Sequence, residues 1–408
     1  MIPFFRKHLD FDLRYFFGGG AWLFVGQILA TAKSLIISVF LARVFGVEDF
    51  GRFAYIMAVF SVASVFGSPG MSIAVFQSVS RGYEGTLRLL AKNVFFVGLL
   101  GSLFLVGFQL YSMLIQRESH DYIFLALAFL FPFYSVGSMF AYHVSGLKRF
   151  RQRTFLEALM GIVILLFSFL TYFFSPNIYH LAFTIVVTQT VLSCSYVYYF
   201  SRNSNGKIDE GALLFGKKLD WSYAIPMLKT QLDRILISHF LGYTKTATYN
   251  VAYSLGDQVS ILGKIAGILI LPKASNLSRE EVKSKLTPRN LLLIFFILLS
   301  ISLLIIVISP YIVVGLFGEE FREAISYVQV ILLFIPIKGL SQILRNVHES
   351  QKNTSIINFI NNQISLLEIF LMLVGLFFFQ VWGIIVAKIL SDSISVILQI
   401  ILLYKKNT

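Results

Sequence analysis

The chain has 408 residues, of which 57% are hydrophobic and only 13% are charged, and its mean hydropathy is +0.77. An ordinary soluble domain carries about a quarter charged residues, so a chain of this composition could not cover its apolar surface in water. Composition therefore excludes a soluble globular protein. It predicts an all-α integral membrane protein, because a helix satisfies its own backbone hydrogen bonds within lipid.

The formal net charge of +13 raises the question of a nucleic-acid partner. No basic surface segment interleaved with aromatic residues is present, so the sequence predicts no nucleic-acid binding. Six scattered histidines have no metal-ligand spacing, and no phosphate-binding glycine loop of the GxxxxGK[ST] type occurs. The single cysteine, Cys194, excludes an intramolecular disulfide. We expect no metal site, no cofactor and no catalytic residue.

Residues 1–17 are predicted to form an amphipathic cytoplasmic lead-in, and after them the chain is hydrophobic in stretches of roughly 20 residues, the length that crosses a bilayer. We predict twelve transmembrane helices. The predicted spans are 18–42, 52–77, 94–115, 121–146, 155–175, 179–200, 221–241, 246–272, 290–316, 323–347, 354–379 and 382–404.

Lysine and arginine in the short links between spans predict the orientation, because cytoplasmic links retain these residues. With the N-terminus inside, the cytoplasmic segments hold 22 basic residues and the opposite links hold 5. The N- and C-termini are therefore both predicted to be cytoplasmic.

A short motif recurs after spans 1 and 7, in "FGVEDFGRFAY" and "LGYTKTATYNVAY". The shared positions are a glycine, a small residue five positions later and an aromatic residue seven positions later: Gly46, Gly51 and Phe53, then Gly242, Ala247 and Tyr249. The repeat predicts two six-helix lobes, 18–200 and 221–408, joined by a cytoplasmic linker at 201–220. Parallel repeats of this kind are common in secondary transporters, where substrate binds between the repeats.

Eleven charged residues lie inside the predicted spans. The basic ones are Lys33, Lys229, Arg234, Lys264, Lys338, Arg345 and Lys388, and the acidic ones are Asp233, Asp257, Glu368 and Asp392. Each charge costs about 2.5–3.5 kcal/mol at the centre of a membrane helix, so the set is expected to face the protein interior.

Two structural interpretations compete with a functional one. Snorkelling to the membrane surface would account for Arg345 and Lys388. Pairing within one helix, between residues four apart, would account for Lys229 with Asp233 and for Lys388 with Asp392. Seven cations against four acids still leave three positive charges over. A cavity with surplus positive charge between apolar helices suits an anionic headgroup attached to a lipid tail.

Four segments carry a family resemblance: "LARVFGVEDFGRFAY", "LDRILISHFLG…ATYNVAYSL", "LPKASNLS" and "ISPYIVVGLFGEEFREAISYVQVILL". In this order and spacing they resemble the polysaccharide (O-antigen) flippases of the multidrug/oligosaccharidyl-lipid/polysaccharide (MOP) exporter superfamily. The resemblance implies a MATE/MOP-like bundle in a bacterial inner membrane. It also implies that undecaprenyl-pyrophosphate-linked glycan is flipped to the periplasmic leaflet without ATP, by antiport with a coupling H⁺ or Na⁺. Membrane lipids, a polysaccharide polymerase and a chain-length regulator are the implied further partners.

The resemblance implies roles for the charged set. The expected headgroup-binding cations are Lys33, Lys229, Arg234, Lys264, Lys338 and Arg345, and the expected ion-coupling acids are Asp233, Asp257, Glu368 and Asp392. The alternatives are a MOP-fold exporter of lipid-linked peptidoglycan precursor, teichoic acid precursor or drugs, and a membrane-embedded polysaccharide polymerase. An enzyme is disfavoured because the outer links are too short to hold an acceptor and present no paired carboxylates.

Overall fold

The computed structural model describes the backbone of residues 21–116, 122–275, 286–350 and 359–404, and within these ranges the side chains of all but 115–116, 260–275 and 349–350. These residues form helices and no strand. The helices are α1 (Ala21–Ala63), α2 (Pro69–Ser80), α3 (Thr86–Tyr111), α4 (Ile123–Gly137), α5 (Met139–Gly146), α6 (Phe150–Phe174), α7 (Ile178–Arg202), α8 (Ala212–Leu241), α9 (Tyr243–Ser275), α10 (Pro288–Ile312), α11 (Ala324–Ser350) and α12 (Ser365–Tyr404). The predicted lead-in at 1–17 lies outside the described residues.

The membrane-spanning character predicted from composition is confirmed. Eight helical stretches of the described residues are long and apolar enough to cross a membrane. Two of them, Ala21–Gly67 and Ile360–Tyr404, are bent in the middle and hold two predicted spans each. Helices α8 and α9 also have the length of a span, 30 and 33 residues, but are not among the eight. Most predicted spans fall on one helix or on one arm of a bent helix, whereas span 52–77 continues past Ser68 into α2 and span 121–146 comprises α4 and α5. Residues 18–20, 121 and 354–358 of the predicted spans lie outside the described ranges.

The repeated glycine motif has the same backbone conformation in both copies. Gly46 has φ 78° and ψ −178°, and Gly242 has φ 87° and ψ 172°. Gly318, before α11, is similar at φ 112° and ψ 167°. A positive φ is easily adopted by glycine and disfavoured for residues with a β carbon. These glycines turn the chain sharply from one span into the next, and we call this end of the bundle the glycine-turn end.

The first half (21–202) and the second half (212–404) meet closely at the glycine-turn end. A β carbon at Gly51 would lie 1.9 Å from the carbonyl oxygen of Tyr243, so the two backbones touch there. The rings of Phe50 and Phe321 pack edge to face across the same contact, with centroids 5.9 Å apart. The missing side chain at position 51 is therefore what allows the halves to approach.

Arg43 joins the two halves at the same end. Its guanidinium donates hydrogen bonds to the carbonyl oxygens of Leu316 at 2.8 Å, Gly315 at 2.6 Å and Val314 at 3.3 Å. These carbonyls belong to the short π-helical turn that follows α10, where the last backbone acceptors of a helix lack intrahelical partners. Arg43 thus caps a helix of the second half with a positive charge, which also suits the negative end of the helix dipole.

At the opposite end, the segment predicted as a linker is partly helical. Residues 212–220 continue α8 nine residues beyond the predicted span and pack on α2. The Asp220 carboxylate accepts the backbone N–H of Gly70 at 2.7 Å, and Asp209 accepts the Ser78 hydroxyl at 2.8 Å. Residues 212–220 are too polar for hydropathy to include them in the predicted span. Their contacts with the first half nevertheless order them as the beginning of α8.

The outer surface of the bundle is apolar, as a lipid-facing surface must be. Phe173, Phe174 and Phe377 are 79%, 86% and 75% exposed. In water such side chains would favour association, whereas in a bilayer they are solvated by acyl chains.

We expect Gly51→Ala to destabilise the protein, because the new methyl group would force the Tyr243 backbone away. Overpacking of this kind typically costs about 1–3 kcal/mol. Thermal unfolding in detergent, followed by fluorescence-detected gel filtration, should show a lowered midpoint. Gly107→Ala, in open space on α3, is the matched control and should leave the midpoint unchanged or raise it. Equal midpoints for the two variants would contradict the close contact.

Candidate functional site

A polar cavity of about 450 Å³ lies inside the second half, walled by α8, α9, α11 and α12. It contains most of the charged residues that the sequence placed within the membrane. The ionised residues lining it are Lys229, Arg234, Asp257, Lys338, Arg345, Glu368, Lys388 and Asp392. Hydroxyl and amide groups of Thr230, Gln231, Ser341 and Gln342 complete the polar wall. Its size is in the range of about 300–1,000 Å³ typical of ligand pockets.

Three ion pairs join different segments around this cavity. Lys229 Nζ of α8 lies 2.6 Å from Glu368 Oε2 on the first arm of α12. Lys338 Nζ of α11 lies 2.9 Å from Asp257 Oδ1 of α9. Lys388 Nζ, on the second arm of α12, contacts Asp233 Oδ2 of α8. Every pair therefore connects two different helices or arms, and the three pairs link the helices that form the cavity wall.

The intrahelical pairs expected from spacing are wrong. Lys229 does not pair with Asp233, and Lys388 does not pair with Asp392, although each couple is four residues apart. In both couples the lysine precedes the acid, which is the less favourable order along a helix. A carboxylate on a facing helix offers each lysine a closer partner.

Asp233 is the most deeply placed of these charges, with none of its surface exposed. Its carboxylate accepts a hydrogen bond from the hydroxyl of Tyr249 at 2.6 Å and from the backbone N–H of Arg234 at 2.8 Å, besides the bond from Lys388. A buried carboxylate with this many donors has its hydrogen-bonding capacity satisfied, and in this structure Asp233 holds Lys388.

The ring of Tyr253 lies close to three positively charged side chains on the cavity wall. The Lys388 ammonium lies 4.1 Å from the ring centroid, and Lys338 Nζ and Arg234 Cζ each lie 5.1 Å from it. Tyr249 stacks beside Tyr253 with centroids 5.9 Å apart. Cations within about 6 Å of an aromatic face are attracted by the ring quadrupole, so this tyrosine stabilises three like charges close together.

Three charged groups lining the cavity have no ionic partner among the described residues. Arg234 donates only to neutral amides, to Asn250 Oδ1 at 2.8 Å and to Gln231 Oε1 at 2.6 Å. The Nε of Arg345 is buried without any hydrogen-bond acceptor. The Asp392 carboxylate has no hydrogen bond or salt bridge in the described part of the chain and interacts electrostatically with Lys338, Lys229 and Lys388 at longer range.

One of the predicted binding cations, Lys33, does not line this cavity, and another, Lys264, has a side chain that the structure does not describe. Lys33, on the first arm of α1, lies over Gly161 of α6, with its Cδ 3.2 Å from where a β carbon would stand. Its electrostatic partner there is Glu157. The side chain of Lys264 lies outside the described residues, although its backbone continues α9.

The structure also brings in residues that the sequence reasoning had not placed at the site. Tyr249 and Tyr253 precede the predicted site residue Asp257 on one face of α9 at intervals of four, a pattern that the sequence itself contains. Asn250, which accepts a hydrogen bond from Arg234, could not be identified from the sequence, because isolated asparagines are common. Lys388 was read as snorkelling or as paired with Asp392, and its contact with Asp233 is visible only in three dimensions.

We expect Lys388→Met to destabilise the protein by about 3–5 kcal/mol, because it leaves the Asp233 carboxylate buried without its cation. Adding Asp233→Asn removes the uncompensated charge and should recover most of that loss. The unfolding midpoints of the two single variants and the double variant, measured in one detergent, form a double-mutant cycle. A double variant that is no more stable than Lys388→Met alone would show that the pair is not the source of the effect.

Comparison with known proteins agrees with this architecture. Residues 17–272 match the family model described as polysaccharide biosynthesis protein. A protein of Shigella flexneri, provisionally named an O-antigen transporter, is 23% identical over 347 residues, which cover 79% of this chain and 82% of that protein.

Solved structures with a similar fold include MATE transporters. The inward-facing conformation of a multidrug resistance MATE family transporter of the MOP superfamily has a TM-score of 0.65 at 11% identity, covering 91% of this chain and 93% of that one. An outward-facing conformation of such a transporter also scores 0.65, at 13% identity and with coverage of 95% and 96%. A mutant MATE transporter of Vibrio cholerae scores 0.64 at 13% identity, with 95% of each chain covered.

The predicted MATE/MOP-like fold is thereby confirmed, and so is the prediction that the chain is not an enzyme. The family match covers residues 17–272, more than half of the chain. The chain belongs to the polysaccharide biosynthesis protein family and is a multi-pass membrane transporter of the flippase type.

Proposed function

We propose that the protein flips undecaprenyl-pyrophosphate-linked oligosaccharide, an O-antigen or capsule repeat unit, from the cytoplasmic to the periplasmic leaflet of a bacterial inner membrane. The observation that carries this proposal is the pair of guanidinium groups, Arg234 and Arg345, that line a polar intramembrane cavity and form no salt bridge with any carboxylate of the described residues. The support from relatives is the provisional name of the Shigella flexneri protein.

Guanidinium chemistry supports an anionic headgroup. Arginine presents a planar fork of N–H donors that matches phosphate oxygens two at a time and stays protonated in a membrane environment. Lys229, Lys338 and Lys388 are each compensated by a carboxylate, so they set the local potential and hold the wall. Arg234 and Arg345 have donor capacity left, and a pyrophosphate would supply the missing acceptors.

The same cavity disfavours a cationic drug as cargo, although solved structures with a similar fold include a multidrug resistance transporter. Five basic and three acidic side chains line it, and the fourth acid, Asp233, is neutralised behind the wall by Lys388. A cationic ligand would meet three cations around Tyr253 and would be repelled. Hydroxyl and amide groups next to the arginines suit the hydroxyls of sugars attached to the headgroup.

We propose that transport occurs by alternating access, in which the two halves move against each other as in other transporters built from repeats. In the proposed orientation both termini are cytoplasmic and the glycine-turn end is periplasmic, in agreement with the distribution of lysine and arginine. A polymerase and a chain-length regulator would receive the flipped repeat unit on the periplasmic side.

Asp392 is the proposed coupling site for H⁺ or Na⁺. It lines the cavity, four residues from Lys388, and has no hydrogen bond or salt bridge among the described residues. Asp233, Glu368 and Asp257 are each engaged by a lysine, so their charge is compensated in this conformation. A carboxylate that lacks a fixed partner can exchange an ion as its surroundings change.

We expect Arg234→Gln and Arg345→Gln each to lower surface polysaccharide in a flippase-deleted strain that carries the matching sugar pathway. Loss of one charge-assisted hydrogen-bond donor, worth about 1.5–3 kcal/mol, corresponds to roughly a tenfold to hundredfold weaker interaction. Surface polysaccharide is measured by immunoblot at equal membrane content of the protein. Arg345→Lys should retain the charge but lose the bidentate geometry and give an intermediate level.

The matched control is Arg88→Gln, an exposed arginine away from the cavity, which should complement as well as the wild type. Full complementation by both cavity variants would contradict the assignment of the arginines. Wild-type protein that rescues only a strain lacking the peptidoglycan precursor flippase would contradict the assignment of the cargo, while leaving the pyrophosphate site intact.

We expect Asp392→Asn to uncouple transport from the ion gradient while cargo binding is retained, since Asn cannot exchange a proton. The readout is the ratio of transport rates with and without an imposed pH or Na⁺ gradient in proteoliposomes. The ratio should fall to about one in Asp392→Asn and stay at the wild-type value in Glu320→Gln, an exposed acid near α11. An unchanged ratio in Asp392→Asn would place the coupling ion elsewhere.

A further inference from the structure

A second cavity lies in the first half, between the beginning of α1 and the beginning of α6. It is an open crevice of about 640 Å³, and its floor is apolar: Trp22, Val25 and Leu29 on α1, and Phe155 and Ala158 on α6. No residue of the proposed transport site lines it. We call it the α1/α6 crevice.

The mouth of the α1/α6 crevice is basic. Arg149 and Arg151 line it, both are exposed, and neither guanidinium has a hydrogen bond or salt bridge among the residues that the structure describes. Arg151 lies over the Trp22 ring, with Cζ 5.4 Å from the centroid. The nearby Arg153 is different, because it is paired with Glu157 at 2.9 Å and donates to Ser145 at 2.8 Å. No carboxylate lines the crevice as described.

The depth of the crevice matches one leaflet of a bilayer. Arg149 immediately precedes α6, and the Thr154 hydroxyl donates to the carbonyl oxygen of Trp22 at 2.7 Å, which places Trp22 within about one turn of the beginning of α6. Leu29 lies two turns further along α1, about 10 Å below Trp22 at 1.5 Å per residue. The basic mouth is thus at the headgroup level, where tryptophan is enriched, and the apolar floor descends into the hydrocarbon.

We propose that the α1/α6 crevice is a binding site for an anionic phospholipid of the surrounding bilayer. The phosphate accepts hydrogen bonds from Arg149 and Arg151, and one acyl chain lies along Val25, Leu29 and Phe155. Charge complementarity selects the occupant: neither guanidinium group has a hydrogen-bond acceptor among the described residues, and a zwitterionic lipid would bring its own ammonium group to the same place. In the proposed orientation this mouth faces the cytoplasmic leaflet, where anionic lipids attract basic residues.

Trp22 provides the measurement, since it lines the crevice. The chain has three tryptophans, and Trp221 and Trp382 are replaced by phenylalanine, so that Trp22 is the single tryptophan left. The protein is reconstituted into phosphatidylcholine vesicles in which a fixed mole fraction is brominated phosphatidylglycerol or brominated phosphatidylcholine. Bromine quenches tryptophan at short range, so the ratio of the two quenching constants reports selectivity at this site.

We expect brominated phosphatidylglycerol to be the preferred quencher, by roughly fivefold for each arginine that contacts the phosphate. Arg149→Gln with Arg151→Gln should bring the ratio to about one. Arg149→Lys with Arg151→Lys should retain much of the preference, and gel filtration checks that each variant is folded. The matched control is Arg81→Gln with Arg88→Gln, which removes two exposed arginines outside the crevice and should keep the wild-type ratio.

Equal quenching by the two brominated lipids in the wild-type background would overturn the proposal. An equal fall in the ratio for both double-glutamine variants would also overturn it, because the preference would then come from general surface charge. The result does not depend on the cargo, since neither the vesicles nor the measurement contains a glycan.

Discussion

Ionised side chains within a bilayer need partners, and this need organises the second half of the molecule. Three interhelical ion pairs connect α8 with both arms of α12 and α9 with α11. Removing one member of such a pair leaves a buried charge and costs about 3–5 kcal/mol, more than most apolar contacts contribute. In this half the ion pairs therefore add specific interhelical contacts to an extensive apolar core, whereas the described cluster that joins α3, α4 and α7 in the first half is apolar.

The cavity combines charged residues that are paired with one another and charged residues that are available to bind a ligand. The lysines and their acids form a compensated framework whose net effect is to position Tyr253 and the arginines. Arg234 is oriented by two amide oxygens, so its fork is directed before any ligand arrives. A preorganised donor loses little conformational freedom on binding, which favours affinity for a small anionic group over a large apolar one.

Hydropathy was sufficient for the spans, because the requirement for about 20 apolar residues is a local property of the chain. The glycine motif was likewise readable, since Gly46 and Gly242 need the same unusual backbone conformation at equivalent turns. The sequence did not indicate which acid each buried lysine pairs with. Spacing suggested that Lys229 would meet Asp233, but its nearest acid, Glu368, is 139 residues away, and only the packing of α8 against α12 brings them together. Lys33 shows the same limit: its depth in the membrane was evident, whereas the helix it faces was not.

Arg43 gives the bundle a kinetic property as well as a contact. Its three hydrogen bonds satisfy the end of the segment that follows α10 from across the boundary between the halves. Separation of the halves at the glycine-turn end must strip these carbonyls of their donors before water or a new partner can replace them. In the proposed alternating-access cycle, loss of this arginine cap would add to the activation barrier for opening, together with separation of Gly51 from Tyr243 and of Phe50 from Phe321.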